Sequence, residues 1–219
     1  MKKLHFVALA AMLAMTFALA CEDTVDPPPP DPPVVYQPLT TRVAVLNNLE
    51  AAYNNRNIGE LDKLLDPEFS FHLSDGDVNG GLPPQWNRAT EMDVSTNLFS
   101  DTEDPLHRWP LCTSIDFDLD LSNPDWVDIV PPPVADEHWS MVTVFYDFQI
   151  AVNPDTKFYP YPGAKVRFTV RNNGTDENPH WQLVEAEDLG GGSALVGTHA
   201  TATEESTWGK VKSLFRGDS

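Results

Sequence analysis

The sequence predicts an α+β domain: three N-terminal helices packed on a curved, mainly antiparallel sheet, with a short C-terminal helix added. Two patterns carry this expectation. Val43, Leu46, Leu49 and Tyr53 recur at helical spacing near the start, and further on Ile115, Phe117, Leu119 and Leu121 alternate strictly with Ser114, Asp116, Asp118 and Asp120. Residues 39–188 carry nearly all of this patterning, which is one domain by length and enough to bury a single core.

Thr40 and Thr41 are suitable N-caps for the first helix, and Asn54-Asn55-Arg56-Asn57 breaks it. Ile58 to Leu65 forms a second, short helix, ended by Asp66-Pro67. Phe69, Phe71 and Leu73 alternate with Ser70, His72 and Ser74 as a half-buried strand, and Asp75 to Pro84 reads as a loop. The third helix is expected over Trp86 to Phe99, with Trp86, Ala89, Thr90, Val94 and Leu98 on one side.

Four strand signals follow. The first is the run around Phe117, and a long loop over 123–137 holds Pro131-Pro132-Pro133. Trp139 to Val152 is apolar on both faces, the pattern of a central strand covered on both sides. Val166, Phe168 and Val170 alternate with Lys165, Arg167, Thr169 and Arg171, and Asn172-Asn173-Gly174 is a turn signal toward Trp181 to Glu187. Asn173-Gly174-Thr175 matches a glycosylation sequon but is read here as turn chemistry. Residues 189–219 comprise a small-residue linker and an amphipathic helix with Trp208, Val211, Leu214 and Phe215 on its apolar side. That helix either covers an open end of the protein's own sheet or docks an acidic partner through Lys210, Lys212 and Arg216.

The element order, together with Leu49-Glu50-Ala51-Ala52-Tyr53-Asn54, Leu61 through Phe71, Trp86 with Glu91, and Trp181 through Asp188, resembles the nuclear transport factor 2-like superfamily, which includes the SnoaL-like proteins. The resemblance covers about residues 40–188 and implies a cone-shaped fold that serves enzymes, binding modules and assembly subunits alike. The family's isomerase branch uses a tyrosine on the first helix and an acid at the end of the first strand. Leu49 and Leu73 fall at those positions, and leucine neither takes a proton nor donates a hydrogen bond.

Candidate chemistry is sparse. Asp147, between aromatic neighbours Phe145, Tyr146 and Phe148, suits a general acid or base if buried; otherwise it is an edge acid or a partner of Arg167 or Arg171. His72 is the other weak catalytic candidate, although alternation turns it away from Phe69, Phe71 and Leu73. Asp116, Asp118 and Asp120 share a face, but strand geometry spaces them about 6–7 Å apart, which fits a solvated surface better than a metal site. The scattered histidines lack zinc-ligand spacing, and no cofactor is expected. Tyr53, Trp86, Trp139, Tyr146 and Trp181 are the candidates to line a ligand pocket. Three functions stay open: a non-catalytic module binding a small apolar ligand or an envelope protein, a cyclase, isomerase or hydrolase using Asp147, and a homodimer formed through the sheet.

The chain opens Met1-Lys2-Lys3, runs apolar and uncharged apart from His5 to Ala20, and continues Ala18-Leu19-Ala20-Cys21, which resembles a bacterial lipoprotein signal with Cys21 as the lipidated first mature residue. The alternatives are an ordinary cleaved signal or an uncleaved span, for which the apolar run is short. Residues 21–38 form the anchor and a proline-rich linker. Its seven prolines between Pro27 and Pro38 give a semi-rigid stalk of roughly 35–40 Å. Removal of residues 1–20 takes two of the 14 basic residues and none of the 33 acids, leaving a formal charge of 12 − 33 = −21. Such a chain repels nucleic acid and anionic headgroups, so membrane attachment falls to acyl chains at Cys21, facing the periplasm from either membrane or lying at the cell surface. Cys112 is the one other cysteine and suits a small buried residue. If Cys21 carries lipid, Cys21→Ser turns a detergent-phase protein into a soluble or unprocessed one; equal phase partitioning of wild type and variant contradicts the assignment.

Overall fold

Side-chain caps fix where each helix begins. Thr41 accepts a hydrogen bond from the Ala44 N–H to start α1 (Arg42–Asn54), and Asn57 accepts one from Glu60 to start α2 (Ile58–Leu64). The computed structural model describes residues 33–129, 138–152, 156–160, 163–190 and 203–217. The expected leader, Cys21, most of the proline run, Pro131-Pro132-Pro133 and much of the 189–205 linker lie outside them. Contacts divide the chain into residues 1–33 and 34–219, and every element described belongs to the second unit.

Strand β1 (Leu65–His72) follows directly. The segment expected as a loop holds a one-turn helix, α3 (Asp75–Asn79), capped by the Ser74 hydroxyl. Trp86 is not helical: after Pro83-Pro84 the backbone stays extended as β2 (Gln85–Asn87), which pairs antiparallel with β1 and sets Trp86 opposite Phe71. Asn87 then caps α4 (Arg88–Phe99) through the Thr90 N–H. Among the described residues four helices thus precede the remaining strands, where three were expected.

The other strands are β3 (Cys112–Leu119), β4 (Val127–Ile129), β5 (Trp139–Val152), β6 (Thr156–Pro160), β7 (Lys165–Asn172), β8 (Trp181–Gly190) and β9 (Thr203–Ser206). They pair in the order β2-β1-β8-β7-β5-β6-β9, with β3 and β4 also on β5. Only the β1–β8 and β6–β9 pairs are parallel among the described residues. Curvature comes from β5: residues 139–145 pair with β7, whereas 146–152 pair with β3, so the long strand carries the sheet around its own concave side. The expected coverage of β5 on both faces is corrected here. Val142, Val144, Tyr146, Phe148 and Ile150 are buried, while Thr143, Phe145 and Asp147 are exposed on the outside.

α1 closes the edge of β3 with side chains in place of a strand. The Asn54 amide donates to the Phe117 carbonyl and accepts from its N–H, each at 2.7 Å, and Glu50 accepts from the Leu119 N–H. An edge that would otherwise present unpaired backbone groups is thereby covered. Cys112 is buried at the start of β3, and burial pushes its thiol up to about 11, against a smaller opposing effect of Arg56.

One buried charge ties the ends of β1 and β7. The Asp66 carboxylate, with no exposed surface, accepts from Arg171 at 2.7 Å, from Asn173 at 2.7 Å and from the Glu68 N–H at 2.9 Å. Burial raises its pKa, but these donors outweigh burial and leave it below the ordinary carboxylate value. A depressed folded-state pKa means the stabilisation is complete above the unfolded value near 4 and disappears as pH falls through the folded one. Asp66→Asn should therefore cost about 1.5–3 kcal/mol at pH 7, measured by denaturant unfolding, with the gap to wild type closing at acid pH; a gap independent of pH contradicts this account.

Candidate functional site

The concave side of the sheet is occupied by the chain's own C-terminus. Thr207 caps helix α5 (Trp208–Ser213), accepting from the Lys210 N–H, and the helix enters the space enclosed by α1, β1, β3, β5 and β7. Trp208 sits at its centre, with ring centroids of Phe117, Phe71, Tyr53, Tyr146, Phe148 and Phe168 between 5.0 and 6.1 Å away. Val211 and Phe215 are buried beside it. Leu214, expected on the apolar side, is 37% exposed, and Lys212 takes the interior place with no exposed surface.

Lys212 meets a carboxylate that the body of the domain has already fixed. Glu91 of α4, 2% exposed, accepts from the Tyr53 hydroxyl at 3.0 Å, the Trp86 indole at 2.8 Å and the Ser95 hydroxyl at 3.3 Å. Lys212 Nζ donates to the same group at 2.7 Å. The ammonium also lies 3.8 Å from the Phe71 ring centroid, 4.6 Å from that of Trp208 and 5.5 Å from that of Trp86, an aromatic cage around a cation. Burial lowers the Lys212 pKa, and the Glu91 charge opposes that shift. Burial, then the same carboxylate, raises Tyr53 well above the ordinary phenol value, so its hydroxyl stays protonated and donating.

A second polar cluster receives the start of the helix. Asp77 of α3 accepts from Thr207 at 2.5 Å and from Ser74 at 2.8 Å. Asp188 of β8 accepts from the Gly209 N–H and the Gly190 N–H, both at 2.9 Å, and from Tyr146 at 3.3 Å; Tyr146 in turn accepts from the Trp208 N–H at 3.0 Å. Burial, with Asp77 nearby, pushes the Asp188 carboxyl up. Gly209 packs closely: a Cβ there would lie 3.1 Å from Leu73 and 3.4 Å from Asp77, so these side chains would have to give by a few tenths of an ångström. Along the outer side of the helix runs a groove of about 470 Å³, lined by Ser74, Asp77, Leu82, Thr207, Lys210 and Leu214.

Of the residues singled out from sequence, Tyr53, Trp86 and Tyr146 come together here. Trp139 and Trp181 do not: Trp139 is on the outer side of β5 against Arg171, and Trp181 packs near Arg42 at the start of α1. Asp147 is exposed, bonded to Gln149, and lacks the burial on which an acid or base role was to rest. His72 lies on the outer side of β1, 3.8 Å from Glu185. In the sequence Glu91 and Asp188 stand out only as parts of fold-marking segments, and the expected loop over Asp75 to Pro84 and the outward side expected for Lys212 both give way to interior positions of Asp77 and Lys212. Among the described residues no group of histidine, cysteine or acid side chains is arranged to hold a metal ion.

No family model matches the sequence, and no curated protein is matched by it. Among solved structures, the chain is similar to a nuclear transport factor 2-like superfamily protein from Salmonella enterica, at 10% identity over 71% of this chain and 92% of that one, with a TM-score of 0.43. It is also similar to a nuclear transport factor 2-like protein of unknown function in nutrient uptake from Rhodospirillum rubrum, at 16% identity over 67% and 95% of the two chains, TM-score 0.40. An uncharacterized protein with a cystatin-like fold from Caulobacter vibrioides is similar at 12% identity over 68% and 87%, TM-score 0.40. At these identities and scores the likenesses assign neither family nor activity.

Proposed function

We propose that this chain is a nuclear transport factor 2-like binding module of the bacterial envelope, tethered by lipid at Cys21, whose pocket is held by its own C-terminal segment until a ligand takes that segment's place. The sequence resemblance over residues 40–188 and the lipoprotein-like leader support the class and the place. One observation carries the function: the walls and most polar groups of the site belong to the body, whereas its occupant, Trp208 with Lys212, belongs to the separate six-residue helix α5. A catalytic reading through Asp147 loses its basis with that side chain exposed and outside the pocket.

The test is to empty the centre while keeping the tail. Trp208→Ala in the full chain removes the indole at a cost of about 3–5 kcal/mol. 3-Methylindole should then raise the melting temperature of the variant by several degrees and leave the wild type unmoved at the same concentration. A folded variant that gains nothing from 3-methylindole contradicts a ligand-accepting pocket.

A further inference from the structure

The tail shows what chemistry its pocket selects. Beside the buried Val211 and Phe215, it places inside a planar ring, Trp208, and a primary ammonium, Lys212 Nζ, held 4.6 Å from that ring's centroid. The ring is surrounded by aromatic faces and edges, as any apolar planar group would be. The ammonium is more specific, because its partner is prepared without it. Tyr53, Trp86 and Ser95 hold both Glu91 oxygens, and none of the three belongs to the tail. None of these donors, nor the stacked pair of Phe71 and Trp86, 5.0 Å apart, is supplied by the tail, so the carboxylate and the ring pair that face Lys212 Nζ belong to the body.

A lysine is a costly way to close a core. A buried ion pair contributes little beyond what well-packed apolar residues of similar volume supply, since desolvating two charges offsets their attraction. A methionine or leucine at position 212 would fill the same space without charge. The pocket also holds more acid than the tail answers: among the described residues Asp77, Glu91 and Asp188 are buried around one buried cation, Lys212. An anionic guest would add to that excess, and a neutral one would leave Glu91 uncompensated. At the other end, withdrawal of Thr207 and Gly209 frees acceptor positions on Asp77 and Asp188 for N–H or O–H donors. Inside the pocket, the indole N–H of Trp208 meets no partner in hydrogen-bond geometry among the described residues, although the side chain lies close enough to Tyr53 to act on it. The tail's ring is thus a loose fit for polarity where its ammonium is a close one.

We propose that the ligand this pocket exchanges for its tail is an aromatic ammonium compound, a primary amine joined by a short saturated linker to a planar ring, with the ring at the place of Trp208 and the ammonium at the place of Lys212 Nζ. This rests on the pocket reading above and names the class of molecule it takes.

The experiment uses the full chain with Trp208→Ala and Lys212→Ala combined, and three probes that share one ring: tryptamine as the cation, 3-methylindole as the neutral body and indole-3-propionate as the anion. Calorimetric titration at neutral pH should give tryptamine an affinity at least about tenfold above 3-methylindole, as a desolvated cation among aromatic rings implies, with the anion weakest. Adding Glu91→Gln should bring tryptamine down to the level of 3-methylindole. Equal binding of tryptamine and 3-methylindole overturns the ammonium assignment and leaves the pocket standing; no binding of any probe to a folded variant overturns both. If the double variant does not fold, amide exchange in the wild-type chain decides. Tryptamine should then speed exchange at the Trp208 and Gly209 amides in a saturable way that 3-methylindole does not reproduce, and unchanged exchange, or equal acceleration by both, overturns the proposal.

Discussion

Glu91, with 2% of its surface exposed, lies among aromatic rings, where a charge is costly to bury without a partner, and Lys212 Nζ, 2.7 Å away and 121 residues on in the sequence, is its charged partner. The placement of the tail follows from this pair. With Nζ fixed on Glu91, one helical turn brings Trp208 to the centre of the concave side and Phe215 below it, and the helix start falls against Asp77 and Asp188. Hydrogen bonds at both ends then set a register that apolar packing alone leaves free to slide. Such a pair specifies position more than it adds stability.

The body supplies the rest of the site from its own folding. The long strand β5 passes from partner β7 to partner β3 and so bends the sheet, and α1 covers the β3 edge through Asn54 and Glu50. Asp66 and Arg171 fasten β1 to β7 on the side away from the tail. These ties involve no residue beyond β8, and three of the four donors to Glu91, Tyr53, Trp86 and Ser95, belong to the body as well. The concave side thus has charged and aromatic walls supplied by the body and an interior filled by α5 of the same chain.

Much of this was legible in the residues. Strict alternation located β1, β3 and β7, and the caps at Thr41 and Asn57 mark helix starts that local spacing implies. Trp86 misled because apolar spacing extends through it, while the prolines before it and the Asn87 cap after it decide against helix. Asp147 misled because its neighbours are aromatic, and in a strand neighbours in sequence face opposite ways. The buried pair had a signal that went unread: from Trp208, positions three, four and seven residues on are Val211, Lys212 and Phe215, and from Glu91 they are Val94, Ser95 and Leu98. Each series is a complete helical stripe with one charged member of opposite sign. That the two stripes meet is a tertiary fact, because 121 residues separate their charges.

The central claim is that Glu91 and Lys212 act as one unit that seats the tail, and a double-mutant cycle in the full chain measures this directly. Glu91→Gln, Lys212→Met and the combination would be compared with wild type by denaturant unfolding. The account predicts a coupling of about 2–3 kcal/mol, with the double variant no less stable than either single one, since each single change strands a buried group that the other removes. Free energies that add to within about 0.5 kcal/mol would contradict it.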